Sequence, residues 1–66
     1  MKLLVNGSAQ EVPDGTTVSK LLEILGARSE EVAVEVNAEV VRRAKHAGAT
    51  LKADDRVEVV TFVGGG

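Results

Sequence analysis

The stretch that decides the fold is Thr16-Thr17-Val18-Ser19-Lys20-Leu21-Leu22-Glu23-Ile24-Leu25-Gly26. Four of its apolar residues lie on one face of an α-helix, because they are spaced as i, i+3, i+4 and i+7. They are Val18, Leu21, Leu22 and Leu25. Thr17, or Thr16, is a suitable N-cap, and Gly26 suits the left-handed residue that ends a helix. We therefore predict one amphipathic helix here and no second long helix.

A β-hairpin is predicted before this helix. Strand-like residues 1–6 and 8–12 meet at Asn6-Gly7, a pair that tolerates the positive φ of a two-residue hairpin turn. Pro13-Asp14-Gly15 then ends the pairing, because proline has no amide donor and Asp-Gly favours a turn. The first two strands are thus predicted to be antiparallel neighbours.

A second hairpin is predicted after the helix. Residues 32–36 alternate Val-Ala-Val-Glu-Val, which predicts a strand with its valines inward and Glu35 outward. Asn37-Ala38 is a weaker turn signal that leads into a short strand over residues 39–42. These two strands are expected to pair.

The rest of the chain is predicted to be an irregular connection followed by a last strand. Residues 44–55 show no sustained period, and one 3₁₀ turn is expected around Leu51-Lys52-Ala53. The last strand runs from Arg56 to about Val63. One apolar helix face must cover one face of a four- to five-stranded sheet, so we predict a two-layer α+β domain over residues 1–63 and a flexible glycine tail over residues 64–66.

Composition narrows the classes of function. The chain has 66 residues, 44% apolar and 27% charged, which predicts one small folded domain with a stability of about 3–5 kcal/mol. It has no cysteine, which excludes disulfides, thiolate metal sites and a cysteine nucleophile. The net charge of −2 argues against nucleic acid as a partner. We expect no membrane span and no signal peptide, and hence a cytoplasmic protein.

No catalytic or metal-binding residue is predicted. His46, the only histidine, is expected to be an exposed loop residue, since no nucleophile motif accompanies it. Asp54-Asp55 is expected to be a solvated turn, because adjacent side chains of an extended chain point apart. Arg42-Arg43, with Lys45 close by, is interpreted either as protection of an edge strand or as a contact for an acidic partner.

The last strand predicts a contact surface. Val57, Val59 and Thr61 have one parity, whereas Val60 and the chain's only aromatic residue, Phe62, have the other. If the helix covers the first set, the second set lies on the open face, where exposed apolar residues are typical of a contact surface. The alternative is that Phe62 folds over the edge of the domain and has no partner role. Leu4 extends this surface if the first and last strands are neighbours. The predicted partner-contact residues are Leu4, Val60, Phe62 and Val63.

The glycine tail predicts either an idle disordered end or a reactive one. Gly64, Gly65 and Gly66 have no side chains, so they form a thin segment with a reach of roughly 10 Å. Such a segment can thread a narrow channel and present its carboxylate to another protein's active site.

The resemblance to ubiquitin-like β-grasp proteins covers the whole chain, residues 1–66. The resemblance is carried by four segments: Lys2-Leu3-Leu4-Val5-Asn6-Gly7, Thr17-Val18-Ser19-Lys20-Leu21-Leu22, Val34-Glu35-Val36-Asn37 and the diglycine end. The ending Asp54–Gly66, with its Val-Gly-Gly-Gly, is most similar to the sulfur carrier proteins of thiamine biosynthesis, the ThiS family. The small subunit of molybdopterin synthase is a close relative. The resemblance implies a mixed sheet of strand order 2-1-5-3-4, with parallel first and last strands at the centre.

The resemblance also implies a function. The Gly66 carboxylate would be adenylated by an activating enzyme similar to ubiquitin-activating enzymes, which uses ATP, and would then become a thiocarboxylate. Gly64 and Gly65 would thread the partner's channel. The sulfur would come from a cysteine desulfurase or rhodanese-type protein, and thiazole synthase would accept it. The chain would then be a monomeric carrier without a bound cofactor, not an enzyme. Alternatives of the same fold are the molybdopterin-synthase subunit, a tRNA-thiolation carrier, a protein modifier and a plain interaction module.

Overall fold

The computed structural model describes residues 1–62 of the chain. Its elements are, in chain order, β1 (Lys2–Val5), β2 (Ser8–Glu11), α1 (Val18–Leu25), a first 3₁₀ helix (Ser29–Glu31), β3 (Val32–Val36), β4 (Glu39–Val41), a second 3₁₀ helix (Arg43–Gly48) and β5 (Arg56–Thr61). The predicted helix, the two hairpins and the last strand are confirmed. The predicted boundary between residues 63 and 64 lies outside the described residues.

The strands form one mixed five-stranded sheet in the order β2-β1-β5-β3-β4. β1 and β5 are parallel neighbours at its centre, and the other pairs are antiparallel. This is the strand order that the resemblance implies. With one main helix on the sheet, the fold is the α+β, β-grasp arrangement.

Helix α1 has the predicted caps. The Thr17 side chain accepts a hydrogen bond from the Lys20 amide at 3.1 Å, which satisfies one of the free amides of the first turn. Gly26 has a φ of 73°, and its amide donates to the Glu23 carbonyl at 3.0 Å. The caps fix where the helix begins and ends, and therefore which residues its buried face presents.

The core lies between α1 and one face of the sheet. Its buried apolar residues are Leu3, Val5, Val12, Val18, Leu21, Leu22, Val32, Val34, Leu51 and Val57. The assignment of Leu25 to the buried helix face is wrong, because Leu25 is 38% exposed. Leu25 lies in the last turn of α1 and is not part of the buried cluster, so it packs less closely than Leu21 and Leu22.

Two asparagines in the hairpin turns form hydrogen bonds with the backbone of β5, a central strand of the sheet. Asn6, at φ 50°, accepts a hydrogen bond from the Val59 amide at 2.8 Å and donates to the Val59 carbonyl at 3.2 Å. Asn37, at φ 52°, accepts from the Arg56 amide at 3.0 Å. Each asparagine therefore does two things: it forms the turn of its own hairpin, and it holds that turn against the backbone of β5.

The prediction for residues 44–55 is wrong in two respects. The 3₁₀ helix lies at Arg43–Gly48 and not around Leu51, since the Leu51 amide donates to the Thr16 carbonyl at 2.9 Å and is held beside the start of α1. His46 is 2% exposed, not an exposed loop residue. Its Nε2 lies 3.0 Å from the Val41 carbonyl oxygen and its Nδ1 lies 3.3 Å from Ser29 Oγ. These contacts join segments distant in sequence, so no local pattern reports them.

Candidate functional site

The site is built on the face of the sheet that α1 does not cover, which we call the helix-free face. It carries Leu4 of β1, Ala33 and Glu35 of β3, Val40 of β4, and Arg56, Glu58 and Val60 of β5. The pairing registers place these residues on one side: Leu4 opposite Arg56, Ala33 opposite Val60, and Glu35 opposite both Glu58 and Val40. Since their neighbours Leu3, Val34 and Val57 are buried against α1, strand alternation leaves the helix-free face to solvent.

The apolar part of this face lies at the carboxyl end of β5. Val60 is 58% exposed and Phe62 is 52% exposed, and Val40, which is 71% exposed, borders this end in the row of Glu35 and Glu58. Phe62 lines a groove of about 270 Å³ together with Ala33, Val40 and Arg42. Ser29 and His46 also line this groove, so Phe62 lies at the end of the sheet, where the helix-free face meets the 3₁₀ helices. The predicted exposure of Val60 and Phe62 is therefore observed.

Leu4 lies on the same face but at a distance from Val60. It is half-buried, pairs with Arg56, and lines a cavity with Gly7, Arg56 and Glu58. Because Glu58 lies between Arg56 and Val60 along this face of β5, Leu4 is separated from the apolar end by a charged side chain. The structure thus brings Val60 and Phe62 together and leaves Leu4 apart from them.

The last described residue is fixed to the sheet. The Phe62 amide donates to the Glu31 carbonyl at 2.9 Å, which continues the pairing between Thr61 and Val32 by one residue. Val63, Gly64, Gly65 and Gly66 follow Phe62 in the chain and lie outside the described residues. Their predicted roles in partner contact, threading and modification remain predictions.

The charged side chains of the site were not predicted. Glu35 and Glu58 are both exposed and stand directly opposite each other on β3 and β5. They line a groove of about 480 Å³ together with Asn37, Ala38 and Arg56. The sequence shows that each glutamate points outward, but only the register shows that they are neighbours. The basic residues Arg42 and Arg43 are exposed at the end of the edge strand β4.

His46 is arranged as a structural residue. The Val41 carbonyl oxygen can only accept, so Nε2 donates to it, and Nδ1 lies within hydrogen-bond distance of the Ser29 hydroxyl. Both ring nitrogens are thereby used, and the imidazole is buried. Within residues 1–62, no group of three or more histidine, aspartate and glutamate side chains could hold a metal ion. None of the helices in this part of the chain is long and apolar enough to cross a membrane.

Two curated proteins match this chain over its full length. The chain is 46% identical over its full length to a thiazole synthase from Magnetococcus marinus and 41% identical to one from Paramagnetospirillum magneticum. It spans only 20% of the length of these two curated relatives.

Solved structures match the whole chain. The crystal structure of the thiamine biosynthesis protein ThiS from Geobacter metallireducens superposes with a TM-score of 0.85 at 40% identity, covering all of both chains. The solution structure of a thiamine biosynthesis protein from the same organism gives 0.81, also at 40% identity, covering all of this chain and 88% of the other. The model of the ThiS family matches residues 3–66, and so includes the three glycines. The chain therefore belongs to the ThiS family.

Proposed function

We propose that this chain is the sulfur carrier of thiamine thiazole formation, with the Gly66 carboxylate as the group that carries the sulfur. The observation that carries the proposal is the ThiS family match, which extends through Gly64, Gly65 and Gly66. Membership of this family favours the thiamine pathway over the molybdopterin-synthase subunit, the tRNA-thiolation carrier and the protein modifier.

The proposed chemistry takes place on the main chain. A carboxylate is a poor electrophile, so an activating enzyme first transfers AMP from ATP to Gly66 and releases pyrophosphate. A persulfide sulfur then attacks the acyl carbon and AMP leaves. Reduction of the remaining S–S bond by thiols leaves the thiocarboxylate. The chain needs no cysteine for this role, since its backbone holds the sulfur.

The partners supply the catalysis in this proposal. The carrier contributes recognition and positioning, so it is a co-substrate and not an enzyme. The helix-free face, with exposed Val60 and Phe62, offers an apolar docking surface next to the start of the tail. Thiazole synthase is proposed as the sulfur acceptor, because two relatives named thiazole synthase contain a segment like this chain as a fifth of their length. The activating enzyme and a cysteine desulfurase or rhodanese-type donor follow from the chemistry, as does a cytoplasmic location where ATP is available.

The test is the intact mass of the chain after incubation with the activating enzyme, ATP and a persulfide donor. We expect the increase that corresponds to one sulfur atom in place of one oxygen, and fragmentation should place it on Gly66. A variant that lacks Gly65 and Gly66 should show no increase. A Glu39→Gln variant, changed away from the tail, is the matched control and should react normally. Sulfur incorporation by the truncated variant would overturn the proposal.

A further inference from the structure

Two like charges face each other in the middle of the helix-free face. Glu35 of β3 and Glu58 of β5 are an opposed cross-strand pair, and both are exposed. Opposed side chains of an antiparallel pair have Cβ atoms about 4.5–5.5 Å apart, and like charges at this separation destabilise the sheet. An arrangement that opposes folding and is nevertheless present is typical of a functional surface.

Neither glutamate is held in an ion pair by a described residue. Arg56 lines the same groove, yet it makes no ion pair with a carboxylate of the described chain. The two asparagine amides nearby are used elsewhere: Asn37 Nδ2 donates to Asp55 and Asn6 Nδ2 donates to the Val59 carbonyl.

The pair also borders the apolar end of the same face. Val40 stands directly opposite Glu35 on β4, and Val60 lies two residues beyond Glu58 on β5. A partner that covers Val40 and Val60 must therefore also remove water from the two carboxylates. Desolvated carboxylates without a cation are unfavourable, so a partner that docks here without one would bind poorly.

We propose that the thiazole synthase that docks on this face places a cationic side chain between Glu35 and Glu58. Arginine fits best, because its planar guanidinium has enough donors to bind both carboxylates at once. This inference rests on the proposed function, since it concerns the partner of the same carrier. In this inference the apolar contact is made by Val60 and Phe62, and the charge of the glutamate pair determines which partner binds.

The experiment measures the stability of the carrier and its affinity for the thiazole synthase of the same organism by calorimetry. The site variants are Glu35→Gln, Glu58→Gln and their combination, and Arg56→Gln is added for the stability measurement. Glu39→Gln is the matched control because its register partner Val36 lies on the other parity of β3. Each site variant should weaken binding at least about tenfold. The double variant should weaken it by less than the product of the two, because both carboxylates bind one cation.

Stability should change in the opposite direction. Removal of one like charge should leave the melting temperature of the free carrier unchanged or raise it by about 1–5 °C. The wild-type affinity should fall with salt more steeply than that of the double variant. Normal affinity of the site variants would overturn the inference. So would a lowered melting temperature in both Glu58→Gln and Arg56→Gln, because Arg56 would then be the cation that the pair needs.

The same preparations separate this inference from the proposed function. Each variant is also incubated with the activating enzyme, ATP and a persulfide donor, and its intact mass is recorded. Sulfur incorporation with unchanged synthase affinity would refute only the charge-matched docking. A wild-type chain that takes up no sulfur would refute the carrier function itself.

Discussion

Replacing Phe62 by alanine should weaken partner binding much more than it weakens the fold. Phe62 is 52% exposed, so only about half of its side chain is removed from water in the free protein. Truncation of a fully buried phenylalanine costs about 3–5 kcal/mol, and half-burial without an enclosed cavity reduces this to about 1–1.5 kcal/mol. The hydrogen bond from the Phe62 amide to Glu31 does not depend on the side chain and should remain.

This loss leaves the variant folded. A domain of this size has a stability of about 3–5 kcal/mol, so roughly 1.5–4 kcal/mol remain and more than about nine molecules in ten are native. An exposed aromatic residue that fills a partner's pocket contributes about 1–3 kcal/mol to binding, which raises Kd roughly 5- to 150-fold. Affinity for thiazole synthase and for the activating enzyme is measured by calorimetry, and stability by urea denaturation.

Val57→Ala is the matched control, since Val57 lies on the same strand but is 0% exposed. This change should lower stability by about 2–3 kcal/mol and leave the affinity of the folded fraction unaltered. A larger loss of stability in Phe62→Ala than in Val57→Ala, with normal binding by its folded fraction, would exclude Phe62 as a contact residue. Phe62 would then be a core residue, and the assignment of strand faces would be wrong.

Substitutions at three further residues test the fold, each by urea denaturation. Leu21→Ala should cost about 2–4 kcal/mol, because Leu21 is completely buried beneath the sheet; a loss below about 1 kcal/mol would contradict this packing. Thr17→Ala should cost about 1 kcal/mol whereas Thr17→Ser costs little, because only the hydroxyl caps α1; equal losses would contradict the cap. His46→Ala should cost about 1–3 kcal/mol through the lost contacts to Val41 and Ser29, and an unchanged midpoint would show that the buried imidazole is dispensable.

The parts of the fold that were predicted are those with a local cause. The helix follows from the spacing of Val18, Leu21 and Leu22, and its ends follow from Thr17 and Gly26, whose conformations are set within one turn. The alternation of β5 predicted that Val60 is exposed and Val57 buried. Periodicity and capping are short-range properties, so the sequence alone is sufficient for them.

The parts that were missed depend on contacts between distant segments. His46 is buried because the second 3₁₀ helix packs beside Val41 and Ser29, and no repeat in residues 43–48 reports this. The opposition of Glu35 and Glu58 depends on the register between β3 and β5, and the two glutamates lie 23 positions apart in the sequence. Strand parity predicts that each glutamate side chain points outward, but it does not predict which residue of the adjacent strand lies opposite.

The most direct test of the carrier function is the intact mass of the protein isolated from its own cells during growth without thiamine. The carrier function requires a population heavier by the exchange of one oxygen for one sulfur at Gly66, and this population should disappear when the gene of the activating enzyme is deleted. A protein that carries only a free carboxylate, in cells that nevertheless make thiazole through this chain, would contradict it.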